Sequence, residues 1–135
     1  MANEAQIQHG TVCWSELNVH DVKRAQKFYA ETLGWRFDPM YMGDMTYWII
    51  VSGDKRVGGM FEMKGPRFEG VPEHWLTYIA VDDVDARVAK AVAAGATMCL
   101  EPHDIAGVGR ISVILQPGGG VVAWMTPKPP AAART

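Results

Sequence analysis

The chain has 135 residues, of which 48% are hydrophobic and 21% charged, a length and composition typical of one globular domain that folds in water. Its 13 basic and 15 acidic side chains include no run of Lys or Arg that would supply the basic surface on which nucleic-acid binding depends. The N-terminus shows no apolar signal core and no apolar stretch approaches the roughly 18–20 residues that cross a bilayer, so we expect a cytoplasmic protein with neither membrane nor nucleic-acid partners.

The first half of the chain predicts one βαβββ module, at about residues 10–64. Alternating residues predict a strand from Thr11 to Val19, in which Leu17 and Val19 share one face. A helix capped at His20-Asp21 follows and ends at Gly34, which supplies the left-handed residue of a C-cap. Three further strands are predicted around 36–41, 45–52 and 56–63, separated by turn residues.

The second half repeats this order, at about residues 73–127. A strand over His74–Val81 leads to an Asp82-Asp83 cap and a helix that ends at Gly95. Strands are then predicted around 97–101, 110–116 and 121–126. The linker at 65–72 is punctuated by Gly and Pro, and the ends of the chain, 1–9 and 128–135, are predicted to be flexible tails of a single domain over 10–127.

The two modules align through their helix entries. Setting Val19-His20-Asp21-Val22 over Val81-Asp82-Asp83-Val84 superposes the two predicted helices and pairs Trp14 with Leu76 and Glu16 with Tyr78. Side-chain identity between the copies is slight, so the repeat lies in the order of elements and their punctuation. The sequence therefore predicts an α+β fold built from two tandem βαβββ modules.

Four segments carry a resemblance to a known family. They are the strand-to-helix run Leu17-Asn18-Val19-His20-Asp21-Val22, the repeat of that run at Ile79–Val84, the Phe28-Tyr29 pair followed by Leu33-Gly34-Trp35, and the turn Gln116-Pro117-Gly118-Gly119. Together these segments resemble the vicinal oxygen chelate superfamily. This superfamily includes glyoxalase I, bleomycin-resistance proteins and extradiol dioxygenases. Trp14, Trp75 and Gly107–Arg110 are similar to a glyoxalase-like branch. The resemblance implies a curved mixed sheet around a cleft that binds small molecules, and a homodimer.

Metal-dependent members of this family place His or Glu ligands at four positions on the concave face of the sheet. The corresponding positions here are Trp14, Leu76, Ala123 and a site near Met60-Phe61-Glu62, where Glu62 alone has a side chain that coordinates metals. Zinc, nickel and iron sites need about three such ligands. We therefore expect no cofactor and no usual metal site. A displaced divalent-metal site that uses Glu16, Glu62 or His74 stays open as an alternative.

Strand alternation and the family alignment predict the residues around the ligand. The predicted ligand-binding residues are Trp14, Glu16, Met60, Glu62, Leu76, Tyr78, Arg110 and Ala123. Glu16 is the candidate catalytic base, or a hydrogen-bond acceptor for the ligand; the structural alternative pairs it with Arg110, Arg36 or Tyr78. Arg110 either binds a ligand anion as a fork or is solvated in a surface loop that begins near His103.

Two functional hypotheses follow, and whether the protein is an enzyme stays open. In the first, the protein binds and sequesters an organic molecule in an aromatic-walled cleft, as bleomycin-resistance proteins do. In the second, it is a lyase, isomerase or dioxygenase-type enzyme in which Glu16, with Glu62 or His74, abstracts a proton or holds a divalent ion. A third possibility is an interaction module whose cleft is filled by Trp14, Met60 and Met125.

Overall fold

The computed structural model describes residues 8–105 and 107–127. Residues 1–7 of the predicted flexible segment 1–9, and the whole of the predicted segment 128–135, therefore lie outside the described residues. The elements are β1 (Val12–Val19), α1 (Val22–Leu33), β2 (Arg36–Met42), β3 (Met45–Ser52), β4 (Lys55–Glu62), a 3-10 turn (Pro66–Phe68), β5 (His74–Ala80), α2 (Val84–Ala93), β6 (Thr97–Ile105), β7 (Gly109–Leu115) and β8 (Val121–Pro127). This order confirms the predicted α+β class and the two βαβββ modules. The chain forms two compact units: the first unit is residues 14–76, and the second unit comprises residues 8–13 and 77–127.

The first unit contains a mixed sheet with the strand order β2-β3-β4-β1, in which β1 runs parallel to β4 and the other neighbours are antiparallel. Helix α1 begins where predicted, because the Asp21 carboxylate accepts the backbone N–H of Arg24 at 3.1 Å. It ends at Gly34, whose φ of 72° is the left-handed conformation of a C-cap.

The core of the first unit lies between its sheet and α1. Leu17, Val19 and Met60 are buried there and pack against apolar residues of α1, β2 and β3. The sequence predicts Met60 as a ligand-binding residue beside Glu16, and the structure corrects this prediction. In the parallel register Leu17 lies beside Met60, so both side chains point to the α1 side, whereas Glu16 points to the opposite face. Met60 is fully buried in the core.

The second unit repeats the topology with the order β6-β7-β8-β5, in which β5 is parallel to β8. Asp83 caps α2 by accepting the backbone N–H of Ala86 at 3.1 Å. Val84 and Val88 of α2 are buried against Val81 and Ile114. Neither α1 nor α2 combines the length and hydropathy that a membrane-spanning helix requires.

Strand β6 is longer than the sequence predicted. It extends to Ile105, so His103 belongs to a strand and not to the surface loop that we expected to lead to Arg110. The register of β6 against β7 shifts twice, between Met98 and Leu100 and between Leu100 and His103. The second of these shifts contains Pro102, which cannot donate to a ladder and is tolerated on edge strands and at bulges.

Candidate functional site

A hydrogen-bonded chain of three side chains occupies the sheet of the first unit. The indole Nε1 of Trp14 donates to the Tyr47 hydroxyl at 2.9 Å, and this hydroxyl donates to Oε2 of Glu16 at 3.1 Å. The direction is fixed because an indole N–H can only donate, which leaves the Tyr47 proton for the carboxylate. We call this arrangement the Trp14–Tyr47–Glu16 chain.

The Trp14–Tyr47–Glu16 chain spans three strands and depends on a glycine in the middle strand. Tyr47 lies on β3 and Glu16 on β1, while Gly59 of β4 lies between them and is paired with Glu16. A Cβ atom on Gly59 would lie 1.8 Å from the Tyr47 hydroxyl oxygen and 2.3 Å from its Cζ. The phenol ring therefore rests directly on the backbone of β4, which only a residue without a side chain permits.

The three residues occupy the sheet face that points away from α1, which we call the far face. Alternation along β1 turns Trp14, Glu16 and Asn18 to the far face, because Leu17 and Val19 pack towards α1. Glu16 is only 5% exposed, whereas Trp14 and Tyr47 are half-buried. The carboxylate thus lies deeper than the two aromatic rings that contact it.

Burial and charge determine whether each side chain of the Trp14–Tyr47–Glu16 chain donates or accepts a proton or a hydrogen bond. Burial raises the pKa of Tyr47 far above its ordinary value of 10.0, and the negative charge of Glu16 raises it further. The hydrogen bond from the Trp14 N–H lowers the pKa and the hydrogen bond to Glu16 raises it, and both of these effects are smaller. The Tyr47 hydroxyl therefore stays protonated and acts as a donor. Glu16 is the member of the chain that can accept a proton or a hydrogen bond from a ligand.

Two of the three partners that the sequence predicts for Glu16 are engaged elsewhere, and Tyr47 is a partner that it does not predict. The sequence offers Arg36 and Arg110 as ion-pair partners of Glu16. The structure directs the Arg36 guanidinium to the carbonyl oxygen of Gly53 at 3.0 Å, and Arg110 bonds to other carboxylates. Tyr47 was not predicted from the sequence. Alternation predicts the face of β3 on which a side chain lies, but it does not predict which neighbouring strand that side chain reaches. The consecutive Gly58-Gly59 inside β4 was the available signal, since glycine in a strand often marks a close approach.

The residues at the family's metal positions do not fit a metal ion. Trp14 offers only a donor N–H, and Leu76 and Ala123 are buried hydrocarbon side chains. Glu62 lies beside Val19 in the parallel register, which turns it to the α1 side, and its carboxylate is 3.6 Å from Nζ of Lys64. Within residues 8–105 and 107–127, no three His, Cys, Asp or Glu side chains come together as a possible metal site. The alternative set of Glu16, Glu62 and His74 is therefore not assembled either.

The predicted site residues of the second unit fall into two places. Tyr78 of β5 and Ala123 of β8 are neighbours in the parallel register, and both are buried. Arg110 binds Asp85 as a fork, with distances of 2.7 and 3.1 Å, and contacts Asp104 at 3.2 Å. The hydrogen bond from Arg110 lowers the pKa of Asp85. The guanidinium that we considered for an anionic ligand is thus engaged within the second unit, and the ligand-binding roles of these residues stay predictions.

Comparison with known proteins gives one family model and several relatives. Residues 11–48 match the model described as bleomycin resistance protein-like N-terminal. The chain is 40% identical over 121 residues to the protein named "Putative glyoxylase CFP32" of Mycobacterium tuberculosis, an alignment that covers 89% of this chain and 45% of that protein. It is 30% identical over 129 residues to the anthracycline biosynthesis protein DnrV of Streptomyces peucetius, which covers 84% of this chain and 46% of that protein.

The chain thus spans less than half of the length of these two relatives. Among solved structures, the methylmalonyl-CoA epimerase of Mycobacterium tuberculosis superposes with a TM-score of 0.64 over 92% of this chain and 91% of that chain, at 17% sequence identity. At this identity the superposition supports the fold and carries no information about the substrate.

Proposed function

Because this chain belongs to the vicinal oxygen chelate superfamily, we propose that it binds a small organic molecule on the far face of its first unit, against Trp14, Tyr47 and Glu16. The observation that carries the proposal is the Trp14–Tyr47–Glu16 chain, in which a buried carboxylate is held in place by a hydroxyl that is itself fixed by an indole. A few oriented polar groups among aromatic walls are the usual composition of a ligand site. The proposed site uses no metal, because Glu62 is the one coordinating side chain at the family's four metal positions and it points to the α1 side of the sheet.

The geometry favours a planar ligand that carries an N–H or O–H group. Trp14 and Tyr47 present aromatic surface for stacking, and the Glu16 carboxylate accepts a hydrogen bond from the ligand. The tyrosine cannot compete as a base, because its raised pKa keeps it protonated. The name of the Streptomyces relative, an anthracycline biosynthesis protein, supports a ligand of this polycyclic aromatic class. Binding would then sequester the molecule, as we inferred from the resemblance to bleomycin-resistance proteins.

A second candidate function is general-base catalysis by Glu16. A carboxylate that is 5% exposed and accepts a hydrogen bond from the protonated Tyr47 hydroxyl has the placement of a base that removes a proton from a bound carbon acid, as in a lyase or an isomerase. A dioxygenase-type reaction would in addition need a group of metal ligands, which the described part of the chain does not bring together. The enzyme hypothesis therefore concerns proton transfer.

Thermal-shift titration with an anthracycline and with bleomycin tests the proposed site. We expect a concentration-dependent rise in melting temperature for the native protein. The rise should be lost in Glu16→Gln, because the amide replaces two charged accepting oxygens with one neutral oxygen. It should be reduced in Tyr47→Phe. Glu31→Gln is the matched control, because it removes one carboxylate from the exposed face of α1. A ligand response that is unchanged in Glu16→Gln would reject the role of Glu16.

Two further measurements separate binding from catalysis. Any ligand found in the titration is incubated with the protein in D2O, and NMR follows its carbon-bound hydrogens; exchange that requires Glu16 supports the base, whereas binding without exchange supports sequestration. Elemental analysis of protein purified without chelators addresses the metal. A stoichiometric transition metal would contradict the proposal of a metal-free site.

A further inference from the structure

A groove runs along the α1 side of the first unit, on the opposite side of the sheet from the far face. It has a volume of about 410 Å³ and is lined by residues of α1, by residues 73–75, and by Leu17 and Val19 of β1. A volume of this size lies within the range of pockets that hold small organic molecules. We call it the α1 groove.

Aromatic side chains line both walls of the α1 groove and remain accessible. Phe28 and Tyr29 belong to the wall on α1, and Trp75 belongs to the wall on β5. Tyr29 stacks on Trp35 with ring centroids 4.9 Å apart, and Trp75 meets both of these rings edge-on at 6.1 and 6.2 Å. Phe28 is 55% exposed and Trp75 is 43% exposed. The walls therefore offer aromatic surface against which a flat apolar group can pack.

Two opposite charges line the same groove without pairing to each other. Arg24 lies one helical turn before Phe28, and Glu73 directly precedes β5. The Glu73 carboxylate is fixed by the backbone N–H of His20, which donates to it at 2.8 Å. Among the residues that the structure describes, neither Arg24 nor Glu73 takes part in an ion pair. The groove thus presents a cation and an anion that are both available to a ligand.

His74, which also lines the groove, adds a hydrogen-bond acceptor beside Glu73. Its ring Nδ1 lies 2.8 Å from the carbonyl oxygen of Pro72. A carbonyl oxygen can only accept, so Nδ1 carries the proton and Nε2 of the neutral ring is the accepting nitrogen. Glu73 and His74 together can therefore accept hydrogen bonds from a group with several N–H donors, such as an ammonium.

The second unit provides an internal comparison for these walls. In the alignment of the two modules, Arg24 of α1 falls on Ala86 of α2. Phe28, one turn further along, falls on the exposed Lys90. Helix α2 also buries two valines against its sheet, whereas α1 buries none of its residues. The cation and the accessible ring on α1 are therefore properties of the first module and not of the fold.

A ligand that matches the α1 groove carries an aromatic ring, an anion for Arg24 and a cation for Glu73. A guanidinium binds a carboxylate through two parallel N–H···O bonds, and an ammonium donates to a carboxylate and a neutral imidazole. An α-amino acid carries both charges on one carbon, next to its side chain. We propose that the α1 groove binds a free aromatic α-amino acid, with its ring against the aromatic side chains of the walls. Its carboxylate pairs with Arg24, and its ammonium donates to Glu73 and His74.

The α1 groove is separate from the proposed ligand site, because it lies on the other side of the sheet from Glu16. Binding of an aromatic amino acid should therefore be unchanged in Glu16→Gln. Binding that is lost in Glu16→Gln and kept in Arg24→Gln would place the amino acid on the far face and overturn the proposal.

Isothermal titration calorimetry with L-tryptophan and two analogues tests the ligand class. We expect L-tryptophan to bind the native protein with a dissociation constant of about 1 mM or lower, as a ligand of about 15 non-hydrogen atoms can reach. Indole-3-propionate lacks the ammonium and tryptamine lacks the carboxylate, so each should bind about 10-fold more weakly. The proposal is overturned if L-tryptophan shows no saturable binding up to about 10 mM, or if either analogue binds equally well.

Two conservative variants assign each charge of the ligand to its partner. Arg24→Gln should lose the preference for L-tryptophan over tryptamine, and Glu73→Gln should lose the preference for L-tryptophan over indole-3-propionate. Glu73→Gln keeps an oxygen that can accept the His20 N–H, which preserves this contact. Lys27→Gln is the matched control, because it removes a cation from α1 outside the groove and should leave the affinity unchanged. An affinity for L-tryptophan that is unchanged in both Arg24→Gln and Glu73→Gln overturns the proposal.

Phe28→Ala tests the aromatic wall without changing a charge. Since the ring is more than half exposed, the far-UV circular dichroism spectrum should stay the same, while L-tryptophan and both analogues should bind about 3-fold more weakly or worse. Sedimentation of the same samples examines the other possible occupant. If L-tryptophan does not bind, and the native protein is a dimer that Phe28→Ala converts to a monomer, the groove is covered by a second copy and the proposal is overturned.

Discussion

Replacing Gly59 with alanine tests the geometry of the proposed site directly. The added Cβ would lie 1.8 Å from the Tyr47 hydroxyl oxygen, so the phenol must leave its position. Both hydrogen bonds of the Trp14–Tyr47–Glu16 chain are then broken, which costs about 2–4 kcal/mol because one of them involves a charged group. Gly59 has no positive φ, so alanine in the same extended backbone returns about 0.4–1 kcal/mol through the unfolded chain. We expect a net loss of about 1–3.6 kcal/mol in the free energy of unfolding.

Urea denaturation followed by far-UV circular dichroism measures this loss, and two background variants identify its cause. Tyr47→Phe keeps the ring, whose Cε2 would still be 2.7 Å from the new Cβ, so Gly59→Ala should remain destabilising there. Tyr47→Ala removes the ring, so Gly59→Ala should be neutral or slightly stabilising in that background. An equal cost of Gly59→Ala in the native and the Tyr47→Ala backgrounds would refute the argument, because the clash would then not be with Tyr47.

Three further predictions concern groups elsewhere in the two units. Since the pKa of Tyr47 is raised on folding, its contribution to stability is complete below pH 10.0 and is lost as the pH rises; denaturation between pH 8 and pH 11 should therefore show the native protein losing stability relative to Tyr47→Phe only above pH 10.0. Asp83→Ala should lower the free energy of unfolding by about 1 kcal/mol, because the N-cap of α2 is lost, whereas Asp83→Asn should retain most of it. In Arg110→Gln the pKa of Asp85 should return towards its usual range in an NMR titration, and an unchanged Asp85 titration would mean that the fork is not formed in solution.

Those parts of the fold that depend on local chemistry could be predicted from the sequence. Helix α1 lies between Asp21 and Gly34 because a carboxylate at the N-cap and a glycine with positive φ act on their own neighbours in the chain. The end of β6 could not be predicted in this way. Whether Pro102 ends a strand depends on whether the strand lies at an edge and whether a bulge can accommodate it, and both are properties of the assembled sheet.

The candidate site was predictable only in part, for a related reason. Alternation along β1 places Trp14 and Glu16 on one face without any knowledge of their neighbours. Met60 and Glu62 required the register of β4 against β1, and a shift of one residue in that register exchanges the faces of every side chain on the strand. Tyr47 required more still, since its ring passes over a whole strand to reach Glu16. The alignment with the family predicted the correct strands for these residues, but it did not predict the register between neighbouring strands.

The hydrogen bond from the Trp14 indole to Tyr47 gives the protein an internal spectroscopic reporter. Each of the five tryptophans contributes one indole N–H resonance to a proton–nitrogen spectrum, and the Trp14 proton is held against a phenol oxygen only 2.9 Å from its nitrogen. That resonance should be displaced downfield and protected from exchange with solvent. A molecule that hydrogen-bonds to Glu16 changes the surroundings of the phenol that donates to the same carboxylate, so this signal should shift and occupancy of the far face can be followed without a label on the ligand.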